Sequence, residues 1–135
     1  MNKPILEGKV KSVYDVPGQA DKVTIVFHDK VTAGNGKQVE YPAEKGKVCC
    51  LISALLFEKL EKYGIRNHYL GTEGLDTMVC RKLTIIPVEV IVRNIAAGSI
   101  VKTTTINEGT LINPPIVEYF LKDDAKDDPL LTYDR

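Results

Sequence analysis

The stretch that decides the fold runs from residue 85 to residue 99 and reads Ile85-Ile86-Pro87-Val88-Glu89-Val90-Ile91-Val92-Arg93-Asn94-Ile95-Ala96-Ala97-Gly98-Ser99. Its apolar, β-branched run predicts a strand that is buried on both faces. Glu89 and Arg93 are four residues apart, so a strand would present both side chains on the same face. Because a charge that leaves water without a partner is costly, this stretch predicts either a structural ion pair or a ligand site.

The ligand-site interpretation depends on the hydrogen-bond donors in this stretch. Arg93 carries a planar fork of donors that matches a phosphate or a carboxylate group. Gly98 and Ser99 follow shortly after and would add a backbone N–H and a hydroxyl group. These residues alone leave the ion pair and the ligand site as open alternatives.

Composition limits the possible partners and the compartment. The 135 residues include 18 basic and 18 acidic side chains, so no overall field attracts nucleic acid or a membrane, and any phosphate binding must be local. No apolar run approaches the roughly 20 residues of a membrane span, and the N-terminus lacks the apolar core of a signal peptide. Cys49, Cys50 and Cys80 fit neither a disulfide framework nor a zinc site. We therefore expect reduced thiols and a cytoplasmic location.

The N-terminal region predicts an antiparallel hairpin. Residues 7–14 and 22–27 form two alternating segments around the turn signal Pro17-Gly18. Gly8 would let the backbone lie close to phosphate groups, whose charge the neighbouring lysines at positions 9 and 11 would neutralise. Alternating lysines are equally typical of a solvated strand edge, so both interpretations stay open.

The middle of the chain predicts a loop followed by a helix. The polar residues 29–45 predict a long functional loop, although Asn35-Gly36 could equally form a tight hairpin turn. Residues 47–63 predict an amphipathic helix that ends before Gly64, a typical C-cap glycine. The predicted core face of this helix consists of apolar residues at helical spacing: Val48, Leu51, Ile52, Leu55, Leu56 and Leu60.

The last part of the chain predicts strands and a charged segment. Short strands are expected at 67–70 and 76–82, and another at 116–121 with two prolines at its start. The charged residues 122–129 are most simply a solvated loop. Aspartates beside Lys122 could also orient an amine or a metal-bound water.

Three motifs carry a resemblance to a known family. The order Ile-Ile-Pro-Val-Glu-x-x-x-Arg-x-x-Ala-Ala-Gly-Ser at 85–99 resembles the signature of the SAICAR synthetases, which are purine-biosynthesis ligases. The Glu-Gly-Lys-x-Lys-x-Val-Tyr segment at 7–14 and the Lys-Asp-Asp-Ala-x-x-Asp-Pro segment at 122–129 are also similar to segments of this family. The resemblance runs along essentially the whole chain, and its departures are Gly34, Cys49, Cys50 and Thr103.

The resemblance implies an α+β fold and a reaction. We expect an antiparallel, β-rich ATP-binding lobe with one packed helix at 1–83, similar to a protein-kinase small lobe. Residues 84–135 would begin a second α+β lobe that binds ATP and substrate. The family uses ATP and magnesium to join L-aspartate to carboxyaminoimidazole ribonucleotide, which gives SAICAR, ADP and phosphate. Neither nucleic acid nor a membrane is implied as a partner, and the full-length enzyme is expected to be a homo-oligomer.

The resemblance also implies site residues. Those expected to bind ATP are Gly8, Lys9, Lys11, Lys82 and Glu89. Those expected to bind the ribonucleotide substrate are Asn35, Arg93, Gly98 and Ser99. The expected catalytic residues are Lys122, Asp124 and Asp128.

Family members continue well beyond a segment like 128–132, and their later half holds the magnesium ligands. We therefore expect this chain to be the N-terminal half, with no metal site of its own, exposed apolar surface and no activity alone. The alternatives are a non-catalytic nucleotide-binding module derived from the family and a β-rich relative that binds no ligand.

Overall fold

The computed structural model describes residues 3–33, 38–126 and 128–132, and it divides the chain into two compact units, Met1–Thr84 and Ile85–Arg135. The described residues form a mixed α+β fold with mostly antiparallel strands and one long helix, which confirms the predicted fold class. None of the helices in the described ranges combines the length and the apolar character that crossing a membrane requires.

The first unit is built on an antiparallel sheet. Its elements in chain order are β1 (Leu6–Glu7), β2 (Lys11–Val16), β3 (Gln19–Phe27), β4 (Val31–Ala33), β5 (Gln38–Glu40), α1 (Lys45–Lys62), β6 (Tyr69–Thr72) and β7 (Thr77–Arg81). Within the described residues, five strands form the main sheet in the order β1-β2-β3-β7-β6. The hairpin of β2 and β3 is the predicted one, and Gly18 in its turn has a φ of 75°, which glycine adopts without strain.

The core of the first unit lies between α1 and this sheet. Its buried residues are Val23, Cys50, Ala54, Met78 and Cys80, with Phe57 and Tyr69 packed against them. Burial raises the pKa of the Cys80 thiol to about 11, and burial also raises the pKa of Cys50. Both thiols are therefore protonated packing groups at neutral pH.

The predicted core face of α1 is wrong. Leu55 is 65% exposed and Ile52 is 52% exposed, although both belong to the apolar spacing that predicted burial. The face that contacts the sheet carries the small residues Gly46, Cys50 and Ala54 instead, each four residues after the last. Small side chains let the helix backbone approach the sheet closely, so the large aliphatic side chains are left on the opposite side.

Both ends of α1 are fixed by hydrogen bonds. At its C-terminus, Gly64 has a φ of 74° and its N–H donates to the Glu61 carbonyl at 2.9 Å, as the predicted C-cap requires. At its N-terminus, the Asp29 carboxylate accepts the Gly46 N–H at 2.7 Å and the Glu44 N–H at 3.1 Å. A Cβ at position 46 would lie 2.7 Å from the Phe27 carbonyl oxygen, so only glycine fits this contact.

The expected long loop at 29–45 is wrong in part. β4 and β5 pair as antiparallel strands in the register Val31↔Glu40 and Ala33↔Gln38, because alternating apolar and polar residues flank Asn35-Gly36 on both sides. Asn35 itself, a predicted substrate-binding residue, lies outside the described residues.

The second unit is built on a ribbon of two strands. Its elements are β8 (Val88–Ile95), α2 (Ser99–Thr103), β9 (Leu111–Leu121) and a 3-10 turn (Asp124–Lys126). Among the described residues, β8 and β9 pair with each other and form what we term the β8–β9 ribbon. The prediction that β8 is buried on both faces is wrong, since Val90 is 56% and Val92 is 57% exposed. An apolar strand is buried only where a second layer covers it.

β9 begins earlier than predicted. It starts at Leu111 and contains Pro114 and Pro115, whereas the sequence placed both prolines at the start of a strand at 116. The pairing shifts register between Ile95↔Leu111 and Arg93↔Ile116, so both prolines lie where the hydrogen-bond ladder is interrupted. Proline has no backbone N–H, and at this point the ladder does not require one.

Candidate functional site

The glycine-lysine segment forms a tight turn between β1 and β2. The Gly8 N–H donates to the Lys11 carbonyl at 2.9 Å, and a Cβ at position 8 would lie 3.1 Å from that same oxygen. Lys9 and Lys11 are both exposed, and the Lys11 ammonium lies 6.0 Å from the centroid of the Phe27 ring. The turn therefore presents two cations beside closely approaching backbone.

A partly buried hydrogen bond between Ser12 and His28 lies next to this turn. The Ser12 hydroxyl is buried and lies 2.8 Å from Nε2 of His28. The backbone N–H of His28 donates to the Val10 carbonyl at 2.8 Å, which connects the turn to the residue that follows β3. Neither residue was singled out from the sequence, because a serine in an alternating strand carries no signal of its partner.

Lys82 lies at the opposite end of the same sheet. Its side-chain ammonium is 2.6 Å from Asp15 Oδ1, and its backbone N–H donates to the Asp21 carbonyl at 2.7 Å. Asp15 is four residues from Lys11 along β2, a separation of about 13 Å. The structure therefore does not bring the predicted ATP-binding lysines into one cluster.

Arg93 is held at the end of the β8–β9 ribbon by three groups. Its Nε donates to Glu118 across the ribbon, Nη1 donates to the Ala97 carbonyl at 3.2 Å, and Nη2 donates to the Ser99 hydroxyl at 2.9 Å. The Arg93 side chain is 11% exposed. The ion pair left open by the sequence exists, but its acid is Glu118 and not Glu89.

Arg93 thereby fixes the Ala-Ala-Gly-Ser turn that follows β8. Gly98 has a φ of 69°, which favours glycine there, and both Gly98 and Ser99 are exposed. Three of the four predicted substrate-binding residues, Arg93, Gly98 and Ser99, are therefore neighbours at one turn of the second unit. Gly98 and Ser99 are exposed, whereas the Arg93 side chain that contacts Ser99 is largely buried.

A second cluster of charges surrounds Lys122. Its ammonium contacts Asp128 Oδ2 and lies 3.4 Å from Glu89 Oε2, while Asp128 Oδ1 accepts the Asp123 N–H at 2.9 Å. The hydrogen bond to Asp128, followed by the bond and charge of Glu89, raises the pKa of Lys122. Lys122 is therefore a cation at neutral pH and not a base. The side chain of Asp124, the third predicted catalytic residue, lies outside the described part of the chain.

Glu118 is a site residue that the sequence did not single out. It is the one charged residue in the apolar segment 116–121. A charge within an apolar strand is also the feature that singled out Glu89 and Arg93. Its partner could not be assigned without the register, which pairs Glu118 with Ile91 and places it diagonally opposite Arg93.

A magnesium ion does not fit the described residues. Across residues 3–33, 38–126 and 128–132, no group of three or more His, Cys, Asp or Glu side chains is arranged to hold a metal ion.

The α+β fold of this chain is shared with known proteins. Residues 4–135 match the family model described as SAICAR synthetase. The chain therefore belongs to the SAICAR synthetase family.

Individual relatives agree with this assignment. The phosphoribosylaminoimidazole-succinocarboxamide synthase of Sulfolobus acidocaldarius is 48% identical over 131 residues, which are 97% of this chain and 55% of that protein. A structure described as SAICAR synthetase (Type-2) in complex with ADP matches with a TM-score of 0.89 and 35% identity, over 95% of this chain and 54% of its own. The enzyme of Ehrlichia chaffeensis matches with a TM-score of 0.92 and 35% identity, over 98% and 55%. The chain thus spans about half the length of the relatives it matches.

Proposed function

We propose that this chain supplies the nucleotide- and substrate-binding part of a SAICAR synthetase, which uses ATP to join L-aspartate to carboxyaminoimidazole ribonucleotide. Family membership over residues 4–135 supports this role, as does a structural relative described as an ADP complex. The observation that carries the proposal is the hydrogen bond from Arg93 to the Ser99 hydroxyl, which assembles an anion-binding turn from the family signature.

In this role the turn at Gly8 receives the polyphosphate of ATP. The missing Cβ of Gly8 lets the turn close on the Lys11 carbonyl, and the exposed ammonium groups of Lys9 and Lys11 neutralise the phosphate charge. Lys82, at the other end of β2, serves a different part of the nucleotide from the one bound at Gly8.

The turn at Gly98 receives the phosphate of the ribonucleotide. The exposed Ser99 hydroxyl donates to a phosphate oxygen, and Arg93 adds positive charge from behind while it orients that hydroxyl. Glu118 offsets part of this charge and fixes the guanidinium plane. The arginine is thus a positioning group as well as an electrostatic one.

The reaction itself is mostly positioning and charge neutralisation. The ring carboxylate accepts the γ-phosphoryl group of ATP, and ADP leaves. The amine of L-aspartate then attacks the acyl carbon, and the phosphate leaves and takes up the proton that the amine loses. Lys122, held protonated by Asp128 and Glu89, attracts a carboxylate of a substrate. Asp128 and Asp124 are the groups proposed to orient the attacking amine.

Calorimetric titration of the 135-residue chain with ADP, and separately with carboxyaminoimidazole ribonucleotide, tests the proposed function. We expect the double variant Lys9→Ala/Lys11→Ala to weaken ADP binding at least about 10-fold, with Lys22→Ala in the same sheet as the matched control. Ser99→Ala should weaken ribonucleotide binding by a similar factor, with Lys102→Ala as the control. A folded chain that binds neither ligand would show that the proposal is wrong.

A second candidate is a non-catalytic nucleotide-binding module of the same family, in which the exposed lysines beside Gly8 bind ADP without turnover. Intact-mass measurement of the product of the native gene separates the two. A heavier product that forms SAICAR supports the ligase. A product of 135 residues that binds ADP without turnover supports the module.

A further inference from the structure

The two turns proposed above to bind phosphate groups carry their positive charge in different ways. At the turn between β1 and β2, Lys9 and Lys11 are exposed, and within the described residues no acid lies within ion-pair distance of either ammonium group. At the turn that follows β8, the Arg93 guanidinium is in direct contact with the Glu118 carboxylate. The first turn therefore presents cations without a paired acid, whereas the second presents a cation whose charge a neighbour offsets.

The pair of Arg93 and Glu118 is shielded from water, so its charges act more strongly than charges at the surface. The Arg93 side chain is 11% exposed and the Glu118 side chain is 21% exposed. Water and salt screen exposed charges strongly and partly buried charges much less. The exposed charge of Lys102, three residues after Ser99 on α2, is screened in this way. The pair therefore sets most of the charge that an incoming anion meets at this turn.

The hydrogen bonds of the pair leave donors for a phosphate group but little surplus charge. Nε of Arg93 donates to Glu118, while Nη1 donates to the Ala97 carbonyl at 3.2 Å and Nη2 donates to the Ser99 hydroxyl at 2.9 Å. A guanidinium group has further N–H donors beyond these. The Ser99 oxygen accepts from Arg93 and keeps its own proton to donate. A phosphate group at this turn is therefore held by directed hydrogen bonds more than by net charge.

We infer that Glu118 is a specificity-determining residue, which makes the turn at Gly98 accept a phosphate monoester and disfavour a polyphosphate. The inference rests on the proposed function, in which the chain binds a ribonucleotide at this turn and ATP at the turn at Gly8. Each further negative charge on a ligand strengthens its attraction to the exposed lysines. Beside the pair it adds little attraction to Arg93 that the repulsion by Glu118 does not offset. Charge alone thus sorts the two phosphate-bearing ligands.

The register of the ribbon makes Glu118→Gln a change of charge at a fixed position. Glu118 lies opposite Ile91 and diagonally opposite Arg93. The side-chain oxygen of glutamine reaches as far as that of glutamate and still accepts the Nε–H of Arg93. The variant therefore keeps the hydrogen bond that orients the guanidinium and removes the negative charge. Glu108→Gln removes an exposed acid from the turn before β9 and is the matched control.

Competition calorimetry with two inorganic probes tests the inference. Carboxyaminoimidazole ribonucleotide is first bound to the chain and is then displaced by phosphate or by pyrophosphate, at constant ionic strength and without magnesium. Because the measurement follows displacement of the ribonucleotide, pyrophosphate bound at the lysines of the first unit does not contribute. We expect the parent chain and Glu108→Gln to bind the two probes within about 3-fold of each other, and Glu118→Gln to prefer pyrophosphate at least about 10-fold.

The ratio of the two affinities separates a role in specificity from a role in folding alone. Damage to the ribbon weakens both probes together, so weaker binding of both with an unchanged ratio in Glu118→Gln overturns the inference. A parent chain that already prefers pyrophosphate about 10-fold also overturns it, whether or not the variant folds. ADP affinity, which depends on the first unit, should be the same in the parent and in both variants. A parent chain that does not bind the ribonucleotide contradicts the proposed function, and the inference with it, whereas an unchanged ratio contradicts the inference alone.

Discussion

The two units of this chain both carry apolar strands, but they differ in how much of that apolar surface is buried. In the first unit, α1 covers the sheet, and Met78 and Cys80 between them are almost inaccessible to water. Of the described residues in the second unit, Ala96 and Ile100 are the buried ones, and Val90, Val92 and Val117 of the β8–β9 ribbon are exposed. A strand thus gains little from apolar residues until a second layer covers it, and two strands alone are marginal in water. Stability should therefore be concentrated in the first unit.

The largest expected effect is the difference in amide hydrogen exchange between the units. The amides of β3 and β7 lie in the covered sheet, and we expect them to exchange at least about 1,000-fold more slowly than those of β8. Exchange followed by NMR on the same sample measures both sets at once. Equal protection in β8 and β3 would contradict the proposed difference in stability.

Matched truncations in the two units should give the next largest difference. Met78 is 1% exposed in the core, so Met78→Ala should lower the free energy of unfolding by about 3 kcal/mol through lost burial and a cavity. Val92 is 57% exposed in the ribbon, so Val92→Ala should change it by less than about 0.5 kcal/mol. Urea unfolding measures both. Similar values for the two variants would mean that the ribbon valines are covered in solution.

The parts of the fold that the sequence predicted depend on local signals. The hairpin turn at Pro17-Gly18 and the end of α1 at Gly64 follow from the backbone conformations that these residues favour. The same holds for parts of the site: Arg93 and Ser99 are six residues apart and are brought together by one strand end and one turn. Neighbours in sequence were therefore placed correctly as neighbours in space.

The parts of the fold and site that could not be predicted depend on contacts between elements that are distant in the sequence. Counting large aliphatic residues selected the wrong face of α1, because contact with the sheet required small residues such as Gly46 and Ala54. The contact of Glu89 with Lys122 joins residues 33 positions apart and requires the register of β8 with β9. The functional roles of these groups remain predictions.

The pH dependence of stability should show the buried thiols of the first unit. Burial raises the pKa of Cys80 from its ordinary value of 9.0 to about 11, so the folded chain keeps a proton that the unfolded chain releases. Between pH 9 and 11 stability should therefore fall as pH rises, by up to roughly 2 kcal/mol, with no contribution from Cys80 below pH 9. Urea unfolding across this range measures the slope.

Two substitutions identify the source of that slope. Cys80→Ala should reduce it, although the variant is less stable at every pH because it leaves a cavity. Cys49→Ala, at a half-buried position of α1, should keep the parent slope. An unchanged slope in Cys80→Ala would show that other groups cause the loss of stability at high pH.

The smallest effect tests how α1 is fixed to the sheet that it covers. The Asp29 carboxylate accepts two N–H groups at the start of α1, and one of them belongs to Gly46, which contacts the backbone of β3. Asp29→Ala should lower the free energy of unfolding by about 1 kcal/mol, as the loss of a capping side chain does. Asp29→Asn keeps an acceptor and should lose less. Asp21→Ala, an exposed acid on β3, should change stability by less than about 0.5 kcal/mol. If the Asp29 and Asp21 variants were equally stable, the small-residue contacts of α1 alone would hold the helix on the sheet, and the cap would add nothing to the stability of the first unit.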